Sequence, residues 1–287
     1  MNRIPVWKTI RYAYTFAFGE IGTIIGLIWI PMVAIGILQF LPFVLGIEQP
    51  AAGENPATAG MAALLSLIFL FVTLGLNAMI YVVVTRQALG LRQGAATFHF
   101  AFGRPEWQMV SAMLLCAVLL GAMAVAFSAT VALFALFLRP EANALIATFV
   151  ALYVLAGIGG LIYAAVRLGF LLWPVVVAEE KVDLGRGWAL TAGNFWRAFA
   201  VILAVTAPVL VVNAISILMI GGPGLFASPP AGADFSAAMT ERIAMLDSHM
   251  PALIGLGLIL APFSCGLMFG AAAGAYRALV PARGQQI

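Results

Sequence analysis

Residues 16–36, with the sequence FAFGEIGTIIGLIWIPMVAIG, join a short aromatic box to the start of a long apolar run. The box FAFG occurs a second time at residues 100–103, and it again stands just before a long apolar run. Both copies follow a basic stretch. Aromatic rings beside basic residues at the start of an apolar run are typical of a segment that enters a membrane.

The composition of the whole chain supports a membrane protein. The chain has 287 residues, of which 64% are hydrophobic and 9% charged, and its mean hydropathy is +1.09. Soluble domains are typically about 45–50% apolar and about 25% charged. Because Cys116 and Cys265 both lie in apolar runs, we expect no disulfide framework. The first apolar run is too long for a cleavable signal peptide, so we interpret it as the first span.

Six apolar runs are long enough to cross a bilayer, which takes about 20 residues of helix. They are residues 21–46, 60–85, 107–138, 143–178, 195–220 and 251–280. We therefore predict an all-α polytopic membrane protein with six transmembrane helices in a single membrane domain, residues 1–287.

The basic residues between these spans predict the orientation of the chain. Eleven of the 14 stand on one side. They are Arg3, Lys8, Arg11, Arg86, Arg92, Arg104, Lys181, Arg186, Arg197, Arg277 and Arg283. Since cytoplasmic loops carry an excess of Lys and Arg, both termini are expected in the cytoplasm. The loop 221–250 is then periplasmic or extracellular, with a short helix expected around residues 236–246.

The aromatic boxes indicate an internal repeat. Residues 7–19 align with residues 91–103, and a third, weaker copy occupies residues 183–196. Each copy precedes two spans. We predict three tandem units of in-plane amphipathic helix, span and span, at about residues 5–85, 91–178 and 182–280.

Read as helices, the boxes are amphipathic. Trp7, Tyr14 and Phe18 recur at helical spacing, with Lys8 and Arg11 toward the other side. The interfacial aromatics predicted in this way are Trp7, Tyr14, Phe18, Phe98, Phe102, Trp188 and Trp196. Such helices either fix the depth of the spans and bury their ends, or offer a surface to lipid headgroups or a protein partner.

Arg167 is the most costly residue, because an Arg at the centre of a membrane helix costs roughly 2.5–3.5 kcal/mol on insertion scales. The run 143–178 would be about 54 Å long as a helix, against a hydrocarbon core of about 30 Å. Arg167 is then either a boundary anchor that reaches the headgroups or the lid of a polar pocket. Arg167, Arg186 and Arg197 are our candidate residues for binding anions or lipids.

Glycines at four-residue spacing predict close helix packing, within one protomer or between protomers. They are Gly22 and Gly26 in the first span and Gly266, Gly270 and Gly274 in the sixth.

The sequence offers little for catalysis. His99 and His249 fall on opposite sides of the predicted membrane, and we find no metal-ligand spacing, phosphate-binding loop or paired carboxylates. We expect a protein that is not an enzyme, with no cofactor, no metal and no nucleic-acid partner.

One signature resembles a known family. It runs from Arg167-Leu-Gly-Phe through Trp173-Pro174 and Glu179-Glu180 to Trp188-Ala-Leu-Thr-Ala-Gly193-Asn-Phe-Trp196. It is similar to the membrane-domain family of glycerophosphoryl diester phosphodiesterases and related six-span inner-membrane proteins of bacteria. The resemblance implies six spans in a bacterial inner membrane. In that family the phosphodiesterase activity belongs to a separate soluble barrel with metal-binding carboxylates, and we expect no counterpart of it here.

Three functions remain open at this point. The first is a scaffold or regulator that acts through its in-plane helices on membrane lipids, a membrane-protein partner or a second copy of the chain. The second is a binder or transporter of a lipid or small amphiphile, with Arg167 and Asn77 lining a polar cavity. The third is a membrane-embedded enzyme.

Overall fold

The computed structural model describes residues 3–44, 56–92, 102–137, 144–222 and 235–280. These residues are 90% helical and contain no strand. The helices are α1 (Val6–Gly19), α2 (Ile21–Val44), α3 (Pro56–Ala88), α4 (Arg104–Phe137), α5 (Ala144–Gly169), α6 (Leu172–Glu179), α7 (Leu184–Thr191), α8 (Phe195–Gly221), α9 (Phe235–Ser248) and α10 (Met250–Leu279).

Six helical segments are long and apolar enough to cross a membrane, as the sequence predicts. They are Ile21–Leu41, Gly60–Ala88, Arg104–Phe134, Thr148–Glu179, Phe195–Gly221 and Met250–Leu279. The chain is therefore an all-α protein of the multi-pass membrane class.

The fourth segment is broken into α5 and α6. The break falls at Phe170 and Leu171, just before Trp173 and Pro174. Pro174 lies in the first turn of α6, where its missing N–H has no intrahelical acceptor to lose. The proline therefore allows a new helix to begin there, and α6 turns into the bundle with Leu172 and Val175 fully buried.

The last helix, α10, lies at the centre of the bundle. It contacts α1, α2, α3, α6 and α8. The C-terminal half of α10 carries small side chains, and Ala271, Ala273 and Ala275 are completely buried. Small residues let neighbouring backbones approach closely, which is the main source of helix association in a membrane.

The three glycines predicted in the sixth span form such a contact, and their partner is α1. A Cβ atom at Gly266 would lie 3.0 Å from Ala17 Cβ, and one at Gly270 would lie 3.2 Å from Ala13 Cα. At Gly274 it would lie 3.6 Å from Thr9 Cγ2. Higher residue numbers in α10 are paired with lower residue numbers in α1, so the two helices are antiparallel.

The same α1 runs parallel to α8. Ile4 N donates to Asn194 Oδ1 at 3.1 Å, and ten residues further along both helices Tyr14 Oη donates to the Ala204 carbonyl at 3.1 Å. The helix α1 therefore follows the direction of two membrane-spanning helices. This differs from the in-plane orientation expected from its amphipathic pattern, because the face that carries Thr9, Ala13 and Ala17 packs on protein.

The two ends of the bundle differ in packing. We call the end that holds residues 3–11, 86–92, 102–107, 179–197 and 277–280 the basic end. Helix α8 shows the contrast, because Ala198, Val201 and Val205 near this end are buried whereas Leu210 and Met219 are exposed. The core therefore lies in the half of the molecule next to the basic end.

The arrangement of three tandem units is not confirmed. The third box forms α7, which is shorter than α1, and residues 93–101 of the second box lie outside the described residues, together with Phe98. In the loop 221–250, α9 occupies the place of the expected short helix, and residues 223–234 are outside the described part.

Candidate functional site

Arg167 joins the end of α5 to α7. Its Nε donates to Thr191 Oγ1 at 3.4 Å, one terminal nitrogen to Tyr163 Oη at 2.7 Å, and the other to the Trp188 carbonyl at 2.7 Å. The guanidinium carbon also lies 3.9 Å from the centroid of the Trp188 ring. The charge is thus held by neutral acceptors, by an aromatic face and by the carboxyl end of α5, which favours a cation.

These contacts differ from both interpretations offered by the sequence. Arg167 is only 9% exposed, so the side chain is not extended toward headgroups, and its partners are on α5 and α7 rather than in the loop 179–183. It is also absent from the lining of the adjacent cavity, which Val166 and Gly169 do line. Arg167 is therefore a residue that holds two helices together.

Arg186 has partners within its own segment. Its Nε lies 3.2 Å from Glu179 Oε1, and its backbone N–H donates to Asp183 Oδ1 at 2.9 Å, which caps the start of α7. That backbone hydrogen bond, with the nearby Lys181 ammonium, lowers the pKa of the Asp183 carboxyl from its ordinary value. Glu179 also accepts from Tyr276 Oη at 3.0 Å. The cluster fixes α6, α7 and α10 at the basic end.

Arg197 contacts the start of the described chain, where a terminal nitrogen donates to the Ile4 carbonyl at 3.3 Å. The structure therefore does not bring the three candidate arginines together at one site. Arg167 hydrogen-bonds to α7 and Arg186 lies in the first turns of α7, whereas Arg197 joins α8 to the residues before α1.

The predicted interfacial aromatics have different surroundings. Trp7 is 77% exposed and Trp196 is 76% exposed, so their predicted place at a membrane surface stays a prediction. Phe18 contacts Phe263 at 5.9 Å between ring centroids. Phe102 packs edge-on against Trp107, and the Trp188 ring packs against the guanidinium of Arg167.

Gly22, one of the two glycines predicted in the first span, does not form a close contact of the kind seen in α10. Gly22 is exposed, and no described atom lies within 4 Å of a Cβ atom there, so the predicted helix packing at Gly22 is not seen within the described part of the protomer. Gly26 is partly buried. The contact in this helix lies further along, where a Cβ atom at Gly36 would lie 3.2 Å from Leu258 Cδ1.

One feature with the shape of a binding site is an apolar crevice of about 410 Å³ between α3, α5, α6, α8 and α10. Tyr81, Trp173 and Phe269 form one wall, with the Tyr81 ring 5.6 Å from Trp173 and 4.6 Å from Phe269. Gly169 and Ala272 leave room opposite them. This volume is within the range of about 300–1,000 Å³ found for ligand pockets.

Few polar groups face the crevice. Ser264 lines it, but its hydroxyl donates to the Leu260 carbonyl at 3.0 Å within α10. Tyr81 contributes the other hydroxyl. No charged side chain lines the crevice and its surface is almost entirely apolar, so the crevice suits a hydrocarbon chain.

A second cavity of about 410 Å³ lies between α2, α3 and α10 and shares Cys265 with the crevice. Asn77 lines it, but its amide donates to the Thr73 carbonyl at 2.8 Å on its own helix. Asn213 likewise donates to the Val209 carbonyl. With the residues that the structure describes, neither amide makes the interhelical hydrogen bond that its position in a span favours.

The sequence analysis missed the aromatic wall of the crevice. Tyr81, Trp173 and Phe269 are far apart in the chain and share no local spacing, so no motif signals them. The start of α6 at Pro174 was the one available sign, since it turns Trp173 into the bundle.

Within the described ranges, no group of three or more His, Cys, Asp or Glu side chains could hold a metal ion. Comparison with protein-family models, with curated proteins and with solved structures gave no match. The resemblance to the phosphodiesterase membrane-domain family stays a prediction.

Proposed function

We propose that this chain is a non-enzymatic membrane protein that binds lipid and holds an acyl chain in the crevice walled by Tyr81, Trp173 and Phe269. The observation that carries the proposal is the crevice itself, which is half-open, almost entirely apolar and set among membrane-spanning helices.

The depth of the crevice suits an acyl chain. Ser264 and Met268 of its lining precede Arg277 by 13 and nine residues. At about 1.5 Å per helical residue they lie roughly 20 Å and 14 Å from the basic end. Since the hydrocarbon core is about 30 Å thick, this depth corresponds to lipid tails.

We further infer that the basic end faces the cytoplasm of a bacterium and that the membrane is the inner one. The described basic residues of this end include Lys8, Arg11, Lys181 and Arg277, and an excess of such residues marks cytoplasmic loops. The resemblance of residues 167–196 to a family of bacterial inner-membrane proteins supports the bacterial inner membrane as the location.

A scaffold that acts through three in-plane helices has less support. The helix α1 packs along α8 and α10, and this contact buries Thr9, Ala13 and Ala17. The helix α1 is thus part of the packed bundle rather than a separate in-plane helix, while Trp7, Lys8 and Arg11 on its other side are exposed.

Photo-crosslinking tests the proposal. The protein is reconstituted with phosphatidylcholine that carries a diazirine in one acyl chain, and labelled peptides are mapped by mass spectrometry. We expect labels in residues 165–173 and 264–272. Gly169→Phe should reduce them about tenfold, equivalent to about 1.4 kcal/mol of binding, because Gly169 lines the crevice and a Cβ atom there has no described atom within 4 Å, which leaves the ring to occupy the crevice.

Gly160→Phe is the matched control, since Gly160 is exposed on the same helix and also has open space around it. Its labelling pattern should equal that of the wild type. Equal labelling in Gly169→Phe and Gly160→Phe would rule out the crevice as the binding site.

A further inference from the structure

A second, polar pocket lies at the basic end, on another side of α10. It has a volume of about 380 Å³ and is formed by the junction of α1 and α2, the end of α3 and the last turns of α10. Tyr12, Glu20, Gln87, Gly90 and Arg277 are its main lining residues. It shares no lining residue with the apolar crevice, so a ligand can bind this pocket whether or not an acyl chain occupies the crevice.

Arg277 lies at one side of this pocket, where it is exposed and contacts Tyr12. Its guanidinium carbon lies 5.5 Å from the centroid of the Tyr12 ring, and one terminal nitrogen donates to Tyr12 Oη at 3.3 Å. Tyr12 is itself fixed, since its hydroxyl donates to the Ala88 carbonyl at 2.6 Å. The guanidinium keeps further N–H donors for another acceptor.

Gly90 leaves the space that Arg277 needs. A Cβ atom at Gly90 would lie 3.2 Å from a terminal nitrogen of Arg277, and Gly90 has a φ of +62°, which disfavours any other residue. The turn that ends α3 thus allows the guanidinium to lie against the backbone.

Glu20 supplies the opposite charge. It is partly buried at the break between α1 and α2, and Oε2 accepts one hydrogen bond from the Gln87 amide at 3.4 Å. The carbonyl oxygen of Gln87 has no partner among the described residues. Two acceptor groups, one of them charged, therefore lie side by side.

The two charges share one pocket without pairing. Within the described ranges, neither Glu20 nor Arg277 has an ion-pair partner, although both line the same cavity. A carboxylate and a guanidinium that stand apart across a pocket complement a ligand that carries both signs of charge.

We propose that this pocket binds a phosphoethanolamine group, with the phosphate on Arg277 and the primary ammonium on Glu20 and Gln87. The planar guanidinium binds phosphate oxygens through two N–H groups. The ammonium donates N–H bonds to the Glu20 carboxylate and the Gln87 carbonyl. A trimethylammonium group has no N–H to donate to these two acceptors.

The position of the pocket fits the headgroup layer. Gly90 follows the end of α3, and Arg277 lies in the last turn of α10, so both mark one end of the spans. The same chemistry is offered by a phosphatidylethanolamine lipid and by free phosphoethanolamine, and the experiment separates these two sources.

The test is the thermal stability of the full chain in detergent, titrated with four probes. They are the dihexanoyl forms of phosphatidylethanolamine, phosphatidylcholine and phosphatidylglycerol, and soluble phosphoethanolamine. We expect the ethanolamine lipid to raise Tm more than the other two lipids. A shift with soluble phosphoethanolamine as well assigns the site to the free zwitterion, and a shift with the lipid alone assigns it to a headgroup.

Glu20→Gln and Arg277→Gln should each weaken the apparent affinity for the ethanolamine probe roughly tenfold or more, because each removes a charge-assisted hydrogen bond. Glu180→Gln and Arg11→Gln are the controls, since both residues are exposed and neither lines the pocket. The controls should keep the wild-type affinity.

Equal shifts with all three lipids, or a larger shift with phosphatidylglycerol, would overturn the proposal from the wild-type protein alone, even where a variant does not fold. An unchanged affinity in a folded Glu20→Gln protein would also overturn it.

Discussion

At the scale of single residues, Arg167 shows how a buried cation is accommodated by neutral groups. Three of its nitrogens reach Tyr163, Trp188 and Thr191, and its planar face covers the Trp188 ring. Thr191 is completely buried and returns a hydrogen bond to the Arg167 carbonyl at 3.4 Å. The geometry depends on the fork of the guanidinium, because its three contacts start from three separate nitrogens, whereas a lysine ammonium donates all its hydrogen bonds from one nitrogen.

We therefore expect Lys to be a poor replacement at this position. Arg167→Lys and Arg167→Ala should both lower the stability of the detergent-purified protein by about 2–3 kcal/mol, the cost of leaving buried acceptors unpaired. Thermal unfolding followed by tryptophan fluorescence measures this. Arg11→Lys and Arg11→Ala serve as controls at an exposed site and should be nearly silent. A stable Arg167→Lys protein would restore the interpretation of Arg167 as a boundary anchor.

At the scale of helices, the contact between α1 and α10 organises the packed half of the molecule. Gly266, Gly270 and Gly274 of α10 are opposed by Ala17, Ala13 and Thr9 of α1. The same α1 hydrogen-bonds to α8 through Ile4 and Tyr14, so it fixes two membrane-spanning helices at once.

Filling this contact should separate the helices. Gly270→Val introduces a Cβ atom 2.9 Å from Phe16 Cδ1 and 3.2 Å from Ala13 Cα, and overpacking of this kind costs about 1–3 kcal/mol. Gly255→Val is the control on the same helix, because no described atom lies within 4 Å of a Cβ atom there. Thermal stability should fall in the first variant only, and equal losses in both would show that the contact contributes little.

At the scale of the whole molecule, the bundle has two unlike halves. Helices are closely packed next to the basic end, whereas on α4 and α5 large apolar side chains such as Val125, Leu152 and Leu155 are exposed. In a membrane these side chains face lipid without cost, because lipid tails are as apolar as the side chains themselves. Tight packing is therefore needed only where helices must be held in a fixed arrangement.

The orientation of this molecule is testable with single cysteines. Lys181→Cys and Ser248→Cys, each introduced after Cys116 and Cys265 are replaced by alanine, lie at exposed positions at opposite ends of the spans. In intact cells a membrane-impermeant maleimide should label residue 248 and leave residue 181 unlabelled until the membrane is permeabilised. Labelling of both residues, or of residue 181 alone, contradicts the proposed cytoplasmic basic end.

Much of the fold could be predicted from the sequence, because apolar run length sets the spans. The central glycines of α10 were also predictable from their spacing. The direction of α1 could not be predicted. The spacing of Trp7, Tyr14 and Phe18 is the same whether the opposite face of the helix contacts water or another helix. The small residues Thr9, Ala13 and Ala17 held the missing information, but their partner lies in the last helix.

The candidate site was harder to predict. Tyr81, Trp173 and Phe269 meet only because α6 turns into the bundle, and Glu20 and Arg277 line one pocket only because α1 packs along α10. No local pattern encodes either meeting. Arg167 was recognised as unusual because an Arg in a membrane helix costs insertion free energy. Its partners Trp188 and Thr191 could not be predicted, since their sequence pattern indicated an interfacial helix.

The pairing of α1 with α10 also sets the time at which the protein can close during synthesis. Tyr12 and Arg277 are 265 residues apart in the chain. At about 5–20 residues per second, a ribosome needs roughly 13–50 s to supply the second after the first. Each of α1, α2, α3, α6 and α8 lacks this common neighbour from its own synthesis until α10 follows. If translation stalls before residue 250, α10 is never made and these helices stay without it. A membrane protease can then degrade the incompletely packed chain.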